Sequence, residues 1–259
     1  GKKRSGKNSA FNYMAYLELV NKEVELGEST RILDTLYLDE TDGLLKLKLD
    51  EGEFEFNLEN PSKDLQEWLK LHLWPNYKNY SFAYQLKKIA TKIFGLSEGQ
   101  VYGTDKQKNS PTKFHWSSVS LEAAKGFGFS RKTEIPDRQI TAREFLQIFG
   151  TEYVRVFKDD AWVTQTLNAI EKEKVNIAVI TDARFENEIK EVKKAGGKVI
   201  YLTRQISDDK HSSENGISPD SKYVDYILDN SGKTSLSEKN AQLFNILQEW
   251  DMVPEEFKD

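Results

Sequence analysis

Residues 1–9 read Gly1-Lys2-Lys3-Arg4-Ser5-Gly6-Lys7-Asn8-Ser9. Gly1, Gly6 and Lys7 have the spacing of a phosphate-binding P-loop, G-x-x-x-x-G-K, in which glycines let backbone N–H groups curl around phosphate oxygens. The lysine of such a loop reaches the outer phosphates. Apolar residues recur at helical spacing over residues 7–22, which predicts a helix whose first, unpaired N–H groups face the phosphates.

Two features of this stretch depart from the common P-loop. Asn8 stands where the motif usually has the Ser or Thr that binds magnesium, and Ser9 follows one place later. A P-loop normally follows a buried strand, and the sequence leaves open whether such a strand precedes Gly1 in the natural protein. A basic, glycine-containing tail is the alternative interpretation of the motif taken alone.

Composition excludes several classes of protein. The net charge of −5 argues against broad electrostatic binding to nucleic acid, and the absence of cysteine excludes disulfides, thiolate chemistry and cysteine metal sites. The three histidines, His72, His115 and His211, do not have the spacing of a metal site. No signal peptide and no membrane-spanning apolar run is evident, so we expect a cytoplasmic protein that binds neither nucleic acid nor membrane.

A second signal lies at residues 175–184. Residues 175–180 form a nearly continuous apolar, β-branched run, which predicts a buried parallel strand. Asp182 follows that strand, where P-loop enzymes place the acidic residue that holds magnesium directly or through water. Arg184 can neutralise phosphate charge. The alternative for Asp182 is a cap on the following helix, and both roles are compatible.

The remaining pattern predicts an α/β chain. A helix over 185–195 and a strand over 198–203 predict a parallel strand pair joined by a right-handed crossover. A β-hairpin is predicted from the alternation at 45–49 and 54–58, and short helices from 64–73 and 85–94. A short strand is predicted over 80–83. Thr141 caps a predicted helix that Gly150 ends.

Residues 97–139 are polar with little periodicity, as functional or mobile segments often are. The aromatic residues Trp116, Phe127 and Phe129 either stack on a base or anchor the loop, and we favour anchoring. As isolated residues, Lys87, Arg143 and Arg155 are most simply explained as surface charges.

Together, several segments resemble the deoxynucleoside monophosphate kinases of tailed bacteriophages. The segments that carry the resemblance are residues 1–9, Ser81-Phe82-Ala83 with Leu86-Lys87, residues 143–151, Trp162, residues 180–188 and residues 211–214. In that family Asp and then Thr commonly follow the P-loop lysine, and Asn8 and Ser9 stand there in this chain.

The resemblance implies an α/β fold, a three-layer P-loop kinase fold with a mostly parallel central sheet, helices on both faces and a β-hairpin insertion. It implies a single domain over residues 1–259, with the insertion at 25–80 and mobile substrate-binding or lid segments at about 97–139 and 208–221. It also favours a homodimer, located in the host cytoplasm if the protein comes from a phage.

The resemblance further implies transfer of the γ-phosphoryl group of ATP to a deoxynucleoside monophosphate, with Mg²⁺, giving the diphosphate and ADP for phage DNA precursor synthesis. The residues implied in catalysis are Lys7, Arg143, Asp182 and Arg184. Those implied in binding ATP phosphates are Gly1, Lys3, Arg4, Ser5, Gly6, Lys7, Asn8 and Ser9. Those implied in the monophosphate site are Leu86, Lys87, Arg143, Gly150, Thr151, Trp162, Asp182, Arg184 and Glu188.

Ser9 and Asp182 are the metal-site candidates, the second through water. Arg204 follows a strand at the edge where ligands bind in α/β sheets, and with His211 and Glu214 it is a candidate lid residue. Two other functions stay open: a P-loop kinase of another small acceptor, and a catalytically silent nucleotide-binding module whose insertion binds a partner. The accepted bases do not follow from the sequence.

Overall fold

The computed structural model describes residues 6–26, 36–49, 52–58, 61–203, 216–230 and 234–253. Its α-helices are α1 (Lys7–Leu26), α2 (Lys63–His72), α3 (Tyr84–Lys92), α4 (Glu98–Tyr102), α5 (Asp105–Lys108), α6 (Leu121–Lys125), α7 (Ala142–Gln147), α8 (Arg155–Phe157), α9 (Ala161–Glu173), α10 (Glu186–Lys194) and α11 (Leu236–Glu249). Its strands are β1 (Leu36–Leu38), β2 (Leu45–Leu49), β3 (Gly52–Glu55), β4 (Tyr77–Tyr80), β5 (Pro111–His115), β6 (Gln139–Thr141), β7 (Ile177–Ile180), β8 (Ile200–Leu202) and β9 (Tyr226–Leu228). Within these ranges no helix combines the length and the apolar character needed to cross a bilayer.

The strands form small sheets, so the mixed α and β class is confirmed, but one mostly parallel central sheet is not seen among the described residues. β4 and β7 pair in parallel, as do β8 and β9, whereas β1-β2-β3 and β5-β6 are antiparallel. The predicted pairing of β7 with β8 is wrong within the described ranges, because β7 pairs with β4, about 100 positions earlier, and β8 pairs with β9, the next strand in the sequence. Side-chain patterns along one strand do not specify which strand lies beside it.

The predicted hairpin is confirmed, with β2 and β3 antiparallel and Leu47 opposite Phe54. The sequence did not predict β1, which pairs with the other edge of β2. Gly43 lies in the turn between β1 and β2 with a φ of 72°, a conformation that favours glycine. Its carbonyl accepts a 2.9 Å hydrogen bond from the buried side chain of Asn12, so this turn lies against α1.

Helix α1 is buried on two faces, and this fixes where its N-terminus lies. Phe11, Ala15 and Leu19 pack into one core cluster, in which Phe11 stacks on Tyr77 of β4 at 5.4 Å between ring centroids. Leu17, on another face, packs in a second cluster with apolar residues of α11. The helix therefore lies between β4 and α11 and contacts both.

Residues 97–139 contain short helices and a strand around an aromatic core, although their sequence shows little periodicity. Trp116 is fully buried, with the rings of Phe127 and Phe129 edge-on at 5.1 Å and 5.3 Å between centroids. The anchoring interpretation of these aromatic residues is therefore confirmed. The mobility of the segment stays a prediction.

The helix predicted to start at Thr141 does so, with reciprocal hydrogen bonds between Thr141 and Glu144. Gly150 does not end it, because a π-helical segment, Ile148–Val154, continues α7 into α8. A Cβ at Gly150 would lie 2.6 Å from Leu86 Cδ2. Glycine is required here by the close packing of α3, a reason that the sequence alone does not reveal.

Candidate functional site

The N-terminus of α1 has the tight backbone that the P-loop motif predicts. Gly6 has a φ of 81°, and its carbonyl accepts hydrogen bonds from Ala10 N at 3.0 Å and Ser9 Oγ at 2.9 Å. A Cβ at Gly6 would lie 3.0 Å from Asn230 Nδ2, so the chain after β9 closes on the loop. The predicted phosphate-binding residues Gly1, Lys3, Arg4 and Ser5 lie outside the described residues.

Lys7 lies near the two charged residues that follow β7. The pKa of Lys7 is lowered to about 8, mainly by burial and also by the positive charge of Arg184, while the negative charge of Asp182 opposes both effects. A charged side chain shifts the pKa of another in this way only when the two lie close together. The structure therefore brings the lysine of the predicted P-loop close to the Asp182–Arg184 segment, although Lys7 and Asp182 are 175 positions apart in the sequence.

Asp182 caps α3, not the helix that follows it in sequence. Its carboxylate accepts hydrogen bonds from Ser81 Oγ at 2.6 Å, Phe82 N at 2.8 Å and Ala83 N at 3.0 Å. The strand predicted over residues 80–83 is therefore corrected: β4 ends at Tyr80, and the next N–H groups turn toward this carboxylate. Asp182 thus joins the carboxyl ends of β4 and β7, where ligands bind in parallel sheets.

The buried carboxylate of Glu188 holds the backbone at Arg184 in place through hydrogen bonds. One carboxylate oxygen accepts the N–H groups of Arg184 at 2.6 Å and Phe185 at 3.0 Å, and the other accepts Arg155 Nη1 at 2.9 Å. Burial raises the pKa of Glu188, while those N–H groups and the Arg155 charge oppose the increase. Arg155 also donates to Asn187 Oδ1 at 2.8 Å and lies 3.9 Å from the centroid of the Phe185 ring.

Lys239 of α11 reaches the same helix terminus from the other side. Its Nζ donates a 2.8 Å hydrogen bond to Ser9 Oγ, and the residue is only 3% exposed. Burial lowers the pKa of Lys239 to about 8. Two lysines with lowered pKa values, Lys7 and Lys239, therefore lie at the first turn of α1.

Three residues of the predicted monophosphate site pack together beside this centre. Trp162 Nε1 donates to the Gly150 carbonyl at 3.1 Å, and Leu86 packs on the Cα of Gly150. Leu86 and Trp162 are each 9% exposed, so little of either side chain is available to contact a ligand, and both pack behind the residues that would. The π-helix that contains Gly150 and Thr151 is a type of irregularity frequent at functional sites.

The other predicted cations of the monophosphate site contact the 97–139 segment. Lys87 Nζ lies 4.9 Å from the centroid of the Tyr102 ring, and Arg143 donates to Asp105 Oδ1 at 2.8 Å. Both side chains are half-buried. The candidate lid residues Arg204, His211 and Glu214 lie outside the described residues.

The donor set suits a hydrated magnesium ion bound through water. No three His, Asp or Glu side chains cluster as metal ligands in the part of the chain that the structure describes. The three hydrogen bonds at Asp182 leave its carboxylate room for one more donor, such as a metal-bound water. Ser9 Oγ already contacts Gly6 O and Lys239 Nζ, and one lone pair remains for another contact.

Comparison with known proteins identifies the family. A family model described as deoxynucleotide monophosphate kinase matches residues 104–240, which is more than half of the chain. The chain belongs to this family. It is also similar to a protein of Acanthamoeba polyphaga mimivirus that is provisionally named a deoxynucleotide monophosphate kinase, with 32% identity over 148 residues. That similarity covers 52% of this chain and 65% of the mimivirus protein.

The deoxynucleotide monophosphate kinase match includes most of this candidate centre but not the predicted P-loop. It spans Arg143, Gly150 and Trp162 of the predicted monophosphate site, and also Asp182 to Glu188. It begins after α1. The presence of Lys7 at the same centre therefore comes from the structure and the sequence motif, independently of the family match.

Sequence reasoning missed two residues of this kinase-family centre, Arg155 and Lys239. Arg155 was interpreted as a surface charge, although its side chain is 10% exposed and pairs with Glu188. For Lys239 a signal was available: it lies four positions before Leu243, on the apolar stripe of α11. A lysine on the buried face of an amphipathic helix indicates a partner inside the protein.

Proposed function

We propose that this protein transfers the γ-phosphoryl group of ATP to a deoxynucleoside monophosphate, giving the deoxynucleoside diphosphate and ADP for DNA precursor supply. The observation that carries this proposal is the convergence of Lys7, Asp182 and Arg184 at the N-terminus of α1. Membership of the deoxynucleotide monophosphate kinase family supports the choice of acceptor.

On the donor side, α1 and Lys7 bind the phosphates of ATP. The first N–H groups of α1 carry partial positive charge and point toward the ligand, and Lys7 adds a mobile ammonium. Phosphoryl transfer passes through a loose transition state whose charge is spread over phosphate oxygens. Positive groups fixed in advance near those oxygens lower the barrier without forming a covalent intermediate.

On the acceptor side, Arg184 and Arg143 neutralise the monophosphate. An oxygen of the acceptor phosphate forms a bond to the γ-phosphorus while the bond from that phosphorus to the ADP oxygen breaks. Arg184 is suited to a position between the ATP and the acceptor phosphates. Glu188 fixes the backbone N–H of Arg184 with a 2.6 Å hydrogen bond, and the charge of Arg184 acts on Lys7. Asp182 positions the loop before α3, from which Leu86 and Lys87 extend.

Bound Mg²⁺ would neutralise phosphate charge at this centre. Ser9 and, through water, Asp182 are the residues that would hold it. Lys7 and Arg184 would then contact phosphate oxygens that the ion leaves accessible. Water would compete with the acceptor for the phosphoryl group, so the bound substrates must exclude it from the half-buried centre.

For the fold, we propose that the β4-β7 and β8-β9 pairs belong to one parallel sheet of a three-layer P-loop kinase fold. The apolar residues of β7 are only half-buried in the described structure, as expected of a strand whose second edge takes part in a larger sheet. The lid segments, the homodimer and the cytoplasmic location stay predictions.

The proposal is tested by an ADP-release assay with ATP and Mg²⁺, run with each of the four common deoxynucleoside monophosphates and without acceptor. Chromatography should identify the matching diphosphate, formed only when both substrates are present. The same assay with a panel of other phosphorylated metabolites tests the alternative that the protein is a kinase of another acceptor. Nucleotide binding without turnover of any acceptor would favour the silent binding module.

A further inference from the structure

The ammonium of Lys239 is buried at the N-terminus of α1. Its Nζ contacts Ser9 Oγ at 2.8 Å, and the residue is 3% exposed. The turn between β1 and β2 encloses Ser9 from another direction: a Cβ at Gly43 would lie only 2.4 Å from Ser9 Cβ. The Lys239 charge therefore lies in a confined space at the first turn of the helix, formed by α11, α1 and the turn between β1 and β2.

This charge is in an unfavourable environment without a ligand. Among the described residues, no carboxylate forms a salt bridge with Lys239. The partial positive charge of the α1 N-terminus adds charge of the same sign nearby.

A hydroxyl does not need an ammonium to hold it in place. Ser9 Oγ already donates to Gly6 O, and a neutral amide could donate the second hydrogen bond without burying a charge. Burying an ammonium becomes favourable when an anion compensates it. The contact of Lys239 with Ser9, in the first turn of the helix that Lys7 begins, indicates where that anion lies.

We propose that Lys239 is a second lysine of the phosphate site, which binds a polyphosphate anion together with Lys7 and the α1 N-terminus. Lys239 has one hydrogen bond to Ser9 Oγ, which leaves N–H groups of its ammonium for phosphate oxygens. This role rests on the proposed use of the α1 N-terminus as a phosphate site. It gives the β1-β2 turn of the insertion a function as well, because Gly43 packs closely against one side of Ser9.

The test compares Lys239→Met with Lys239→Arg and with Lys190→Met, a control on the exposed face of α10. Binding of inorganic tripolyphosphate is measured by calorimetry, and thermal unfolding is recorded with and without it. Lys239→Met should weaken tripolyphosphate binding about 10-fold or more, while Lys239→Arg keeps most of the affinity and Lys190→Met keeps all of it. Without ligand, Lys239→Met should unfold at the same temperature as the wild type or higher.

The opposite pattern would overturn the proposal. If Lys239→Met lowers the unfolding temperature of the free protein or fails to fold, the lysine is structural. Unchanged affinity in a folded Lys239→Met has the same meaning. A wild type that binds tripolyphosphate through Lys239 but phosphorylates no acceptor would refute the proposed kinase and leave this role intact. If the protein is an active kinase and Lys239→Met leaves its KM for ATP unchanged, only this role of Lys239 is refuted.

Discussion

The Ser81 hydroxyl donates a 2.6 Å hydrogen bond to Asp182 Oδ2, across 101 positions of the sequence. The backbone N–H groups of Phe82 and Ala83 donate to the same carboxylate. One acidic side chain thus holds together the ends of β4 and β7 and lies close enough to Lys7 to raise its pKa. Its structural and electrostatic roles are separable by mutation.

Asp182→Asn should destabilise the protein by about 1–3 kcal/mol, because an amide accepts fewer hydrogen bonds than the carboxylate and carries no charge. Urea unfolding measures this effect. The substitution should also lower the pKa of Lys7 further, since it removes the charge that raises it. Asp137→Asn, at a fully exposed side chain, is the control and should change neither quantity. Equal stability of the two variants would contradict the capping role of Asp182.

Arg155→Met should destabilise the protein by about 3–5 kcal/mol, because it leaves the buried carboxylate of Glu188 without its cation. Glu188→Gln should also destabilise it, and the double variant should lose less than the sum of the two. Denaturant unfolding of all four proteins gives the coupling free energy.

The exposed pair Arg131–Glu134 is a matched control, because its side chains are 79% and 35% exposed. The same cycle there should give a coupling below about 1 kcal/mol. Similar coupling at the two pairs would show that Arg155 and Glu188 interact no more strongly than surface charges do.

Gly150→Ala should destabilise the protein by about 1–3 kcal/mol, because the new methyl group would lie 2.6 Å from Leu86 Cδ2. The cost should be smaller in a Leu86→Ala background, where that methyl is absent. Thermal or urea unfolding of the single and double variants measures the difference. A cost that is independent of Leu86 would locate the constraint in the π-helical backbone.

Stability of the ligand-free protein should increase with pH between about 8 and 9.5, below the titration of unfolded tyrosines. Burial lowers the pKa values of Lys7 and Lys239 from 10.5 to about 8, so in this range the unfolded chain retains protons that the folded protein has released. By linkage, more protons on the unfolded state mean that the free energy of unfolding increases with pH.

Lys7→Met and Lys239→Met should each reduce that increase, which urea unfolding at several pH values measures. The control is Lys190→Met, whose pH dependence should match the wild type. A wild-type slope that neither substitution changes would mean that these ammonium groups keep ordinary pKa values in the folded protein.

Local sequence predicted the parts of the site that depend on local chemistry. The glycine–lysine spacing predicted the tight turn at Gly6, and Thr141 with Glu144 predicted a helix start, because these features need only nearby residues. The run before Asp182 predicted β7 and correctly placed that carboxylate at the end of a parallel strand.

The remaining features depend on which distant segments meet. The partner of β7, the cap that Asp182 provides to α3 and the continuation of the helix through Gly150 all arise from contacts across roughly 60 to 100 positions. Arg155 and Lys239 were missed for the same reason. A charged residue is recognised as buried only when its partner, Glu188 or Ser9, is known.

The most direct test of the account compares wild type with Lys7→Met in single-turnover transfer from γ-labelled ATP to a deoxynucleoside monophosphate, with Lys92→Met as an exposed-lysine control. We predict labelled diphosphate with the wild type and the control, and a rate at least about 100-fold lower with Lys7→Met, whose thermal stability should be no lower than that of the wild type. Equal transfer by Lys7→Met and the wild type would contradict the assignment of the α1 N-terminus as the phosphoryl-transfer centre.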